Sequence, residues 1–390
     1  MQSRTEQDRC RAVERYLGGE SPTAICVSMG YSTRWFYKWL KRFRTGDPDW
    51  FRSKSRRPHQ SPNCTSREIE EIVTIIRLSL YNSDRFCGAQ AIRWEMEDLC
   101  VRPLPSLRTI NRILSRAELT HRRTGSYESK GKAYPKLVAE RPSDVHQTDF
   151  VGPLYLRGGV RFYGLNSVDL ATGRCASEVV LTRTAQDTLN AFWESWLRLG
   201  MPHHQQVDNE MSFYGSPRYP RAMGPLIRLS LLNEIEVWFI PMSEPWRNGV
   251  VEKFNNIWQD KFLHRVDLAS EIELRAKNLA FEERHNSRYR YNKLGGKTPS
   301  QALEATGAEL RFPQKSKALR HPLPKPESGR YHLVRFVRSE GKLNVFGELF
   351  PAPPEAIYEY VQLTIDVERQ RLGVFLDGKQ IDEHQYLLRK

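Results

Sequence analysis

The sequence has no long apolar run and no cysteines in a metal-binding pattern. Its mean hydropathy is −0.61, and no apolar run approaches the ~20 residues that cross a bilayer. The six cysteines are scattered without a CxxC pair, so neither a disulfide framework nor a zinc finger is expected. The first eleven residues lack the apolar stretch of a secretory signal. We therefore expect a cytoplasmic protein.

Acidic residues are too few to balance the basic ones. The chain has 60 Lys and Arg against 46 Asp and Glu, a net charge of +14. Residues 1–140 carry 26 basic and 16 acidic residues, whereas residues 141–265 carry 13 of each. This excess favours a polyanion such as nucleic acid, bound mainly by the N-terminal third. A chain of 390 residues also exceeds one hydrophobic core, so several domains are expected.

Three helices are predicted within residues 1–46. Gly18-Gly19 ends the first, Ser21 caps the second and Ser32 caps the third. The third helix directs aromatic residues inward and basic residues outward, as a helix in a DNA major groove requires. Its predicted DNA contacts are Arg34, Lys38, Lys41 and Arg42. A protein-binding three-helix bundle would have the same helices, so that alternative stays open.

A second helix-turn-helix module is predicted over residues 65–120, between basic linkers at 47–64 and 121–140. Its helices are expected at 67–80, 89–99 and 107–117. The last helix and the two linkers supply the remaining predicted DNA contacts of the N-terminal third. These are Arg108, Asn111, Arg112 and Arg116 on the helix, with Arg56, Arg57, Arg122 and Arg123 in the linkers.

Residues 141–305 are predicted to form a mixed α/β sheet with helices on both faces. Asp149 falls in the first strand, Asp208 follows the fourth, and Glu252 falls on the first turn of a helix beginning near Asn248. Three carboxylates on adjacent elements can hold two Mg²⁺ ions about 4 Å apart, which promote phosphodiester exchange. Taken singly, such an Asp is more often a turn former and such a Glu a helix-dipole partner.

Three strings in this region resemble the signatures of a known family. They are HQTDF around Asp149, VDNE around Asp208 and PWRNGVVEKFN around Glu252. They resemble the DDE transposase and retroviral-type integrase superfamily, which implies an RNase H-like catalytic core. The resemblance also implies that Asp149 bridges two Mg²⁺ ions, with Mn²⁺ as a substitute, while Asp208 and Glu252 each complete one site. The helical modules, the segment YRYNKLGGKTPSQAL and the C-terminal strands resemble bacterial insertion-sequence transposases.

The sequence departs from the family pattern after Asp208. The usual Gly is replaced by Glu210, and the 43 residues between Asp208 and Glu252 exceed the usual spacing by several. We expect the extra residues, at 213–226, to form a tolerated surface loop; a loop that contacts DNA or a partner is the alternative. Lys253, next to Glu252, is predicted to contact a DNA phosphate, with a simply exposed side chain as the alternative.

The C-terminal region is predicted to be a separate small β-domain. Residues 306–328 are rich in Pro and Lys and are typical of an extended linker. Residues 329–390 contain short strands and turns that resemble an SH3-like barrel. Because the charge there is nearly balanced, we expect contacts with other subunits more than with DNA.

These features predict a DNA transposase or integrase that binds the ends of a mobile element, frees 3′-hydroxyl ends and joins them to target DNA. Two element ends need two active sites, so the working unit is expected to be at least a homodimer on double-stranded DNA. Two alternatives remain open. One is a domesticated DNA-binding regulator, and the other is a metal-dependent nuclease that does not join strands.

Overall fold

The structure is a computed structural model that describes residues 4–54, 65–120, 132, 134–216, 218–266, 270–314, 319 and 322–389. It divides into two compact units, Met1–Ser66 and Arg67–Lys390. None of the helices in the described ranges combines the length and apolar content that crossing a membrane requires. Four predicted DNA contacts lie outside the described residues: Arg56, Arg57, Arg122 and Arg123.

The first unit is helical, as predicted. Its helices are α1 (Arg4–Leu17), α2 (Pro22–Met29) and α3 (Thr33–Phe43). The Ser21 side chain accepts a hydrogen bond from the Ala24 N–H, and the Ser32 side chain accepts one from the Trp35 N–H. Both serines thereby satisfy N–H groups that have no partner within the helix. The core of this unit is built from Ala12, Val13, Ile25, Cys26, Phe36 and Leu40.

The second unit begins with three more helices, α4 (Arg67–Asn82), α5 (Ala89–Asp98) and α6 (Leu107–Arg116). They have their own apolar core, which includes Val73, Ile92 and Ile110. They also pack on Tyr289 and Arg290, near the end of the predicted α/β region. Phe86 contacts the Tyr289 ring edge-on at 4.8 Å between centroids, and Arg290 pairs with Asp98 at 2.7 Å. The predicted second module is therefore attached to the larger unit.

A nine-stranded sheet forms the centre of the second unit. Its strands and the hairpin beside it are β1 (Val145–Tyr155), β2 (Arg161–Asp169), β3 (Cys175–Val180), β4 (His204–Val207), β5 (Glu236–Phe239), β6 (Arg330–Phe336), β7 (Lys342–Val345), β8 (Glu348–Pro351), β9 (Tyr360–Asp366), β10 (Arg371–Leu376) and β11 (Lys379–Gln385). The order is β11-β10-β9-β6-β5-β4-β1-β2-β3, with β7 and β8 paired separately. Strands β1, β4, β5 and β6 are parallel to one another, and the flanking pairs are antiparallel.

Helices cover both faces of this sheet, as predicted. They are α7 (Ala185–Leu199), α8 (Met211–Tyr214), α9 (Pro225–Leu231), α10 (Gly249–Lys261), α11 (Glu271–Arg288) and α12 (Pro299–Glu304). Alternation along β2 separates the two apolar cores, because successive side chains point to opposite faces. Leu165 packs in one core with Phe192 and Trp196 of α7. Val168 packs in the other with Trp258 of α10.

The prediction of a separate C-terminal domain is wrong. Strand β6 pairs in parallel with β5, with Val237 opposite Tyr331. Leu333 and Leu363 belong to the same apolar core as Phe239 of β5. Within the described residues, β6 and β9–β11 extend the central sheet, and an independent SH3-like barrel is not confirmed. Strand-forming sequences do not reveal whether strands close on themselves or cover the open edge of a neighbouring sheet.

The predicted surface loop at 213–226 is confirmed only for its middle, where Ser216 and residues 218–220 are exposed, and is wrong for its two ends. Phe213, Met223 and Leu226 are buried in the core shared with the C-terminal strands. Tyr214 stacks on Phe346 with 4.7 Å between ring centroids. The two ends of the extra stretch are therefore packed, because their apolar side chains find a partner surface near the end of the sequence.

Candidate active site

Asp149 lies within β1 and Asp208 directly follows β4, and both stand just beyond the part where these two strands pair in parallel. The register of β1 and β4 runs from Val145 opposite His204 to Gln147 opposite Gln206. Each Asp lies two positions beyond the last residue pair of this β1–β4 ladder, so the two acids occupy equivalent places at the carboxyl edge of the parallel part of the sheet, although β1 itself continues to Tyr155 in its pairing with β2. This edge is where open α/β sheets bind their ligands.

Hydrogen bonds from β1 fix the start of α10 and with it Glu252. The Gln147 Oε1 atom accepts hydrogen bonds from the N–H groups of Val250 and Val251, at 3.1 and 3.2 Å. The Asn248 Nδ2 atom donates to the carbonyl oxygen of Thr148 at 3.1 Å. The residues just before Asp149 thus hold the helix that carries Glu252.

The middle of α10 approaches β2 at a position where only glycine fits. A Cβ atom on Gly164 would lie 2.7 Å from the Trp258 ring, closer than van der Waals contact allows. The Trp258 Nε1 atom also donates to Asn278 Oδ1 of α11 at 2.7 Å. The helix is therefore fixed between the sheet and α11, which determines the direction of Glu252.

A chain of buried polar side chains leads to Asp149. The Asn255 Nδ2 atom donates to Asp149 Oδ2 at 2.9 Å, and Asn166 Nδ2 donates to Asn255 Oδ1 at 2.8 Å. The Ser177 Oγ atom then donates to Asn166 Oδ1 at 2.6 Å. Because Asn166, Asn255 and Ser177 are buried, each needs these bonds, and together they orient the Asp149 carboxylate.

The acids at this edge repel one another. Burial, followed by repulsion from the carboxylates of Asp208 and Glu252, raises the pKa of Asp149 from 3.8 to about 7. Burial also raises the pKa of Asp208, although the N–H of Glu210 and the charge of Arg183 partly oppose this effect. Repulsion between carboxylates that share a site is what a bound cation relieves.

Glu210, which replaces the expected Gly, is paired with Arg183. Arg183 lies in the loop between β3 and α7, and its guanidinium carbon is 4.8 Å from the centre of the Tyr163 ring. The sequence analysis missed Arg183, since a single Arg before the helix cap Thr184 carries no recognisable pattern. The only signal in the sequence was its place in the short loop between a predicted strand and a predicted helix.

The donor atoms at this edge suit a hard divalent cation. Mg²⁺ prefers carboxylate oxygens, and Asp149, Asp208 and Glu252 supply them. Throughout the described part of the chain, however, no group of three or more Asp, Glu, His or Cys side chains converges closely enough to hold an ion. The three acids share one electrostatic environment without forming a closed set of ligands.

Three of the predicted DNA contacts on α3 are exposed: Arg34, Lys38 and Lys41. Arg42 is not fully outward as predicted. It donates to the carbonyl oxygen of Arg52 at 3.1 Å, and its guanidinium carbon lies 4.8 Å from the centre of the Trp39 ring. The aromatic ring attracts the cation, so Arg42 covers the inward face of the helix.

On α6, Arg108, Asn111 and Arg112 are exposed. Arg116 is exposed too, but it forms an ion pair with Glu70 of α4. Lys253 is exposed on α10 and borders an apolar cavity of about 200 Å³. That the exposed side chains contact DNA remains a prediction.

One family model matches the N-terminal part of the chain. It is described as a winged helix-turn-helix and matches residues 9–70, which include α2 and α3. This match indicates DNA binding by the first unit. No strand that would form the wing is found where the structure describes this stretch, at residues 9–54 and 65–70.

Solved integrase structures are similar to parts of the chain. The HTLV-2 integrase catalytic core domain in complex with magnesium is 19% identical, with 42% of this chain and 98% of that chain covered and a TM-score of 0.34. The BIV integrase catalytic core domain is 17% identical, with coverages of 42% and 96% and a TM-score of 0.33. A chain of the simian T-cell lymphotropic virus intasome, solved with PP2A regulatory subunit B56 gamma, is 13% identical, with coverages of 75% and 91% and a TM-score of 0.38. Scores at this level do not by themselves establish a common fold.

Proposed function

We propose that this protein is a DNA transposase or integrase that binds the ends of a mobile element, cleaves phosphodiester bonds to free 3′-hydroxyl ends and joins them to target DNA. One observation carries the proposal. Asp149, Asp208 and Glu252 come from separate elements, and burial, followed by repulsion from the other two carboxylates, raises the pKa of Asp149 to about 7. Strongly perturbed carboxylates at such an edge are typical of functional sites.

The chain's own residues prepare this edge for phosphoryl chemistry. Asn255 orients the Asp149 carboxylate, and Gln147 holds the first turn of the helix that carries Glu252. Arg183 brings a positive charge beside Asp208, and it can contact a DNA phosphate once its pair with Glu210 opens. Two Mg²⁺ or Mn²⁺ ions held by the three acids would supply positive charge that stabilises the negative charge on the attacking and leaving oxygens.

The N-terminal third supports a DNA substrate. The winged helix-turn-helix match and the excess of 26 basic over 16 acidic residues in residues 1–140 both favour binding to a duplex. Exposed side chains on α3 and α6 suit the two parts of recognition. Lys38 and Lys41 suit phosphate contacts, whereas Arg108, Asn111 and Arg112 suit base edges.

Incubation with DNA that carries the sequences flanking the gene tests this function. With Mg²⁺, we expect both cut and joined products, and neither product with Asp149→Asn. Cleavage without joining would favour the metal-dependent nuclease. Specific binding with no product under any divalent ion would favour the DNA-binding regulator.

The working unit is proposed to be at least a homodimer on DNA, because two ends must be joined by two active sites. Mixing an Asp149→Asn chain with a chain carrying Arg108→Ala and Arg112→Ala tests this arrangement. If one chain binds an end and the other cuts it, the mixture regains activity that neither chain has alone. No recovery at any ratio would mean that each chain cuts the end that it binds.

A further inference from the structure

The C-terminal strands contact two loops beside the candidate catalytic acids. One loop follows Asp208, and the other leads into the helix that carries Glu252. We propose that Arg335 of β6 and Tyr360 of β9 are positioning residues, which hold Asp208 and Glu252 at a fixed separation. The inference rests on the proposed function, because it assigns Arg335 and Tyr360 a role at the proposed catalytic site. It differs from the expectation that this region serves subunit contacts.

Arg335 bonds directly to the residue after Asp208. Its Nη2 atom donates to Asn209 Oδ1 at 2.9 Å. Its Nη1 atom donates to the Ile240 carbonyl oxygen at 3.3 Å, and Asn209 Nδ2 donates to the same oxygen at 2.6 Å. The Arg335 Nε atom donates to the Asn344 carbonyl oxygen at 2.8 Å. One guanidinium thus joins the loop after β4 to the end of β5 and to the β7–β8 hairpin.

Arg335 is buried at a free-energy cost that calls for a reason. It is 5% exposed, and burial lowers its pKa to about 9. Among the described residues, no carboxylate forms an ion pair with it. Its hydrogen bonds go to backbone carbonyl oxygens and to the side-chain amide oxygen of Asn209. A buried cation without a carboxylate is disfavoured relative to an apolar residue of similar size. Holding the Asp208 loop gives the charge a function.

Tyr360 holds the segment that leads into the helix of Glu252. Its hydroxyl donates to Glu244 Oε1 at 2.7 Å and accepts from Arg247 Nη2 at 3.2 Å. Arg247 also donates to Glu244 Oε2 at 2.9 Å, and its guanidinium carbon lies 3.9 Å from the centre of the Tyr134 ring. The turn Pro245–Asn248 between these groups and α10 therefore has a fixed conformation.

The two contacts come from one rigid piece of sheet. Arg335 is paired with Val361, and its neighbour Phe336 with Tyr360, in the antiparallel ladder of β6 and β9. Sheet-paired neighbours keep a constant spacing, so the loops that they hold keep one as well. The structure in this way links the separation of Asp208 and Glu252 to residues more than a hundred positions away in sequence.

Three variants of the full chain test the inference. Arg335→Gln removes the buried charge, Tyr360→Phe removes one hydroxyl, and Arg330→Gln is the control. Arg330 lies on the same strand, but it is exposed and pairs with Asp366 at 3.1 Å, away from both loops. If Arg335→Gln fails to fold, Asn209→Ala removes the same bond from its other side.

Four measurements separate positioning from general stability: Mn²⁺ affinity by electron paramagnetic resonance, DNA affinity, the turnover rate on saturating DNA, and amide hydrogen exchange. We expect Arg335→Gln to weaken Mn²⁺ binding and to lower turnover, each by about tenfold, as the loss of a charged hydrogen bond predicts. Exchange should accelerate at residues 209–215 in Arg335→Gln and at 244–248 in Tyr360→Phe. DNA affinity should stay unchanged, and Arg330→Gln should behave as the wild type.

Wild-type exchange, Mn²⁺ affinity and turnover in both Arg335→Gln and Tyr360→Phe would overturn the inference and leave the proposed function intact. A wild-type chain that neither binds Mn²⁺ nor cuts DNA would instead overturn the proposed function, and the positioning role would fall with it. Faster exchange spread over the whole chain would also overturn the inference, because it would show a purely structural role.

Discussion

The acidic residues at the two opposite edges of the parallel strands have pKa values shifted in opposite directions. At the amino ends, Glu236 of β5 accepts a hydrogen bond from His332 Nε2 at 3.0 Å and lies 3.4 Å from His204 Nδ1. Burial alone would raise the pKa of Glu236, but the two histidines outweigh it and hold this pKa well below its ordinary range. At the opposite edge of the parallel strands, burial and then repulsion from the carboxylates of Asp208 and Glu252 raise the pKa of Asp149 to about 7.

The contrast distinguishes an acid that stabilises the fold from one that destabilises it. Glu236 has partners that favour its ionised form, so its charge contributes to stability. Asp149 and Asp208 are kept ionisable in a place where their charges are disfavoured, which folding alone does not require. The four predictions that follow test this contrast, from the largest expected effect to the smallest.

Replacing an acid at the carboxyl edge should abolish chemistry. Asp149→Asn, Asp208→Asn or Glu252→Gln is expected to lower DNA cleavage and joining by at least about a thousandfold, because metal-assisted catalysis needs all three carboxylates. Binding to DNA should be unchanged, since the N-terminal helices are untouched. Gel assays of cut, joined and bound DNA measure each step. Near-normal cleavage by one variant would remove that residue from the site.

Asp149 should make the fold less stable as the pH rises. Its pKa is about 7 in the folded chain against an ordinary 3.8, so between these values the folded state binds more protons than the unfolded state. Stability from this group is complete below about pH 4 and is lost by about pH 7, amounting to roughly 2–4 kcal/mol.

Urea unfolding of wild type and Asp149→Asn, without divalent ions from pH 4 to 8, measures this loss as a difference between the two curves. Added Mg²⁺ should restore the stability of the wild type but not of the variant. Parallel curves for the two proteins would contradict the raised pKa.

On α6, the basic residue that forms an ion pair should contribute less to DNA binding than one that is exposed to solvent. Arg112→Ala is expected to weaken binding to the specific DNA end by about 1–3 kcal/mol if the exposed side chain contacts a base edge. Arg116→Ala should cost less, about 0.5 kcal/mol, because Arg116 already pairs with Glu70. Fluorescence anisotropy with specific and scrambled ends compares them. Equal losses for both variants would show that the ion pair opens on DNA.

Glu236→Gln should have the smallest effect and should spare the chemistry. Its carboxylate is partly exposed, so we expect a loss of about 1 kcal/mol of unfolding free energy at pH 7. Because the pKa of Glu236 is lowered on folding, this contribution is present above pH 4.5 and disappears as the pH falls. Thermal unfolding and joining assays at pH 7 and 4 check both statements. A joining defect at pH 7 would refute the assignment of Glu236 to stability.

Local patterns were sufficient for much of the fold. The caps at Ser21 and Ser32, the alternating strands of the core and the helix that carries Glu252 are formed by residues close in sequence. The three acids could be proposed because each stands in or beside a predicted strand or helix within a recognisable string. Their exposure, register and pKa values could not be proposed, since these depend on neighbours from other elements.

The errors came from contacts over long distances in sequence. The pairing of β6 with β5, the burial of Phe213 and the bond of Arg335 to Asn209 each join segments about a hundred residues apart or more. An apolar strand has the same composition whether it closes a barrel or extends a sheet. A single Arg likewise shows no sequence pattern that tells whether its side chain contacts DNA or is buried.

By itself, the sequence determined the local elements, the basic character of the N-terminal third and the positions of Asp149 in a strand, Asp208 after a strand and Glu252 on the first turn of a helix. These depend on backbone propensity, capping and charge, which act over a few residues. Only the tertiary structure decided that the C-terminal strands join the core sheet and that Arg335 and Tyr360 contact the loops beside the acids. Burial of apolar surface and pairing of open strand edges select such contacts, and both act between distant segments only once the chain has folded.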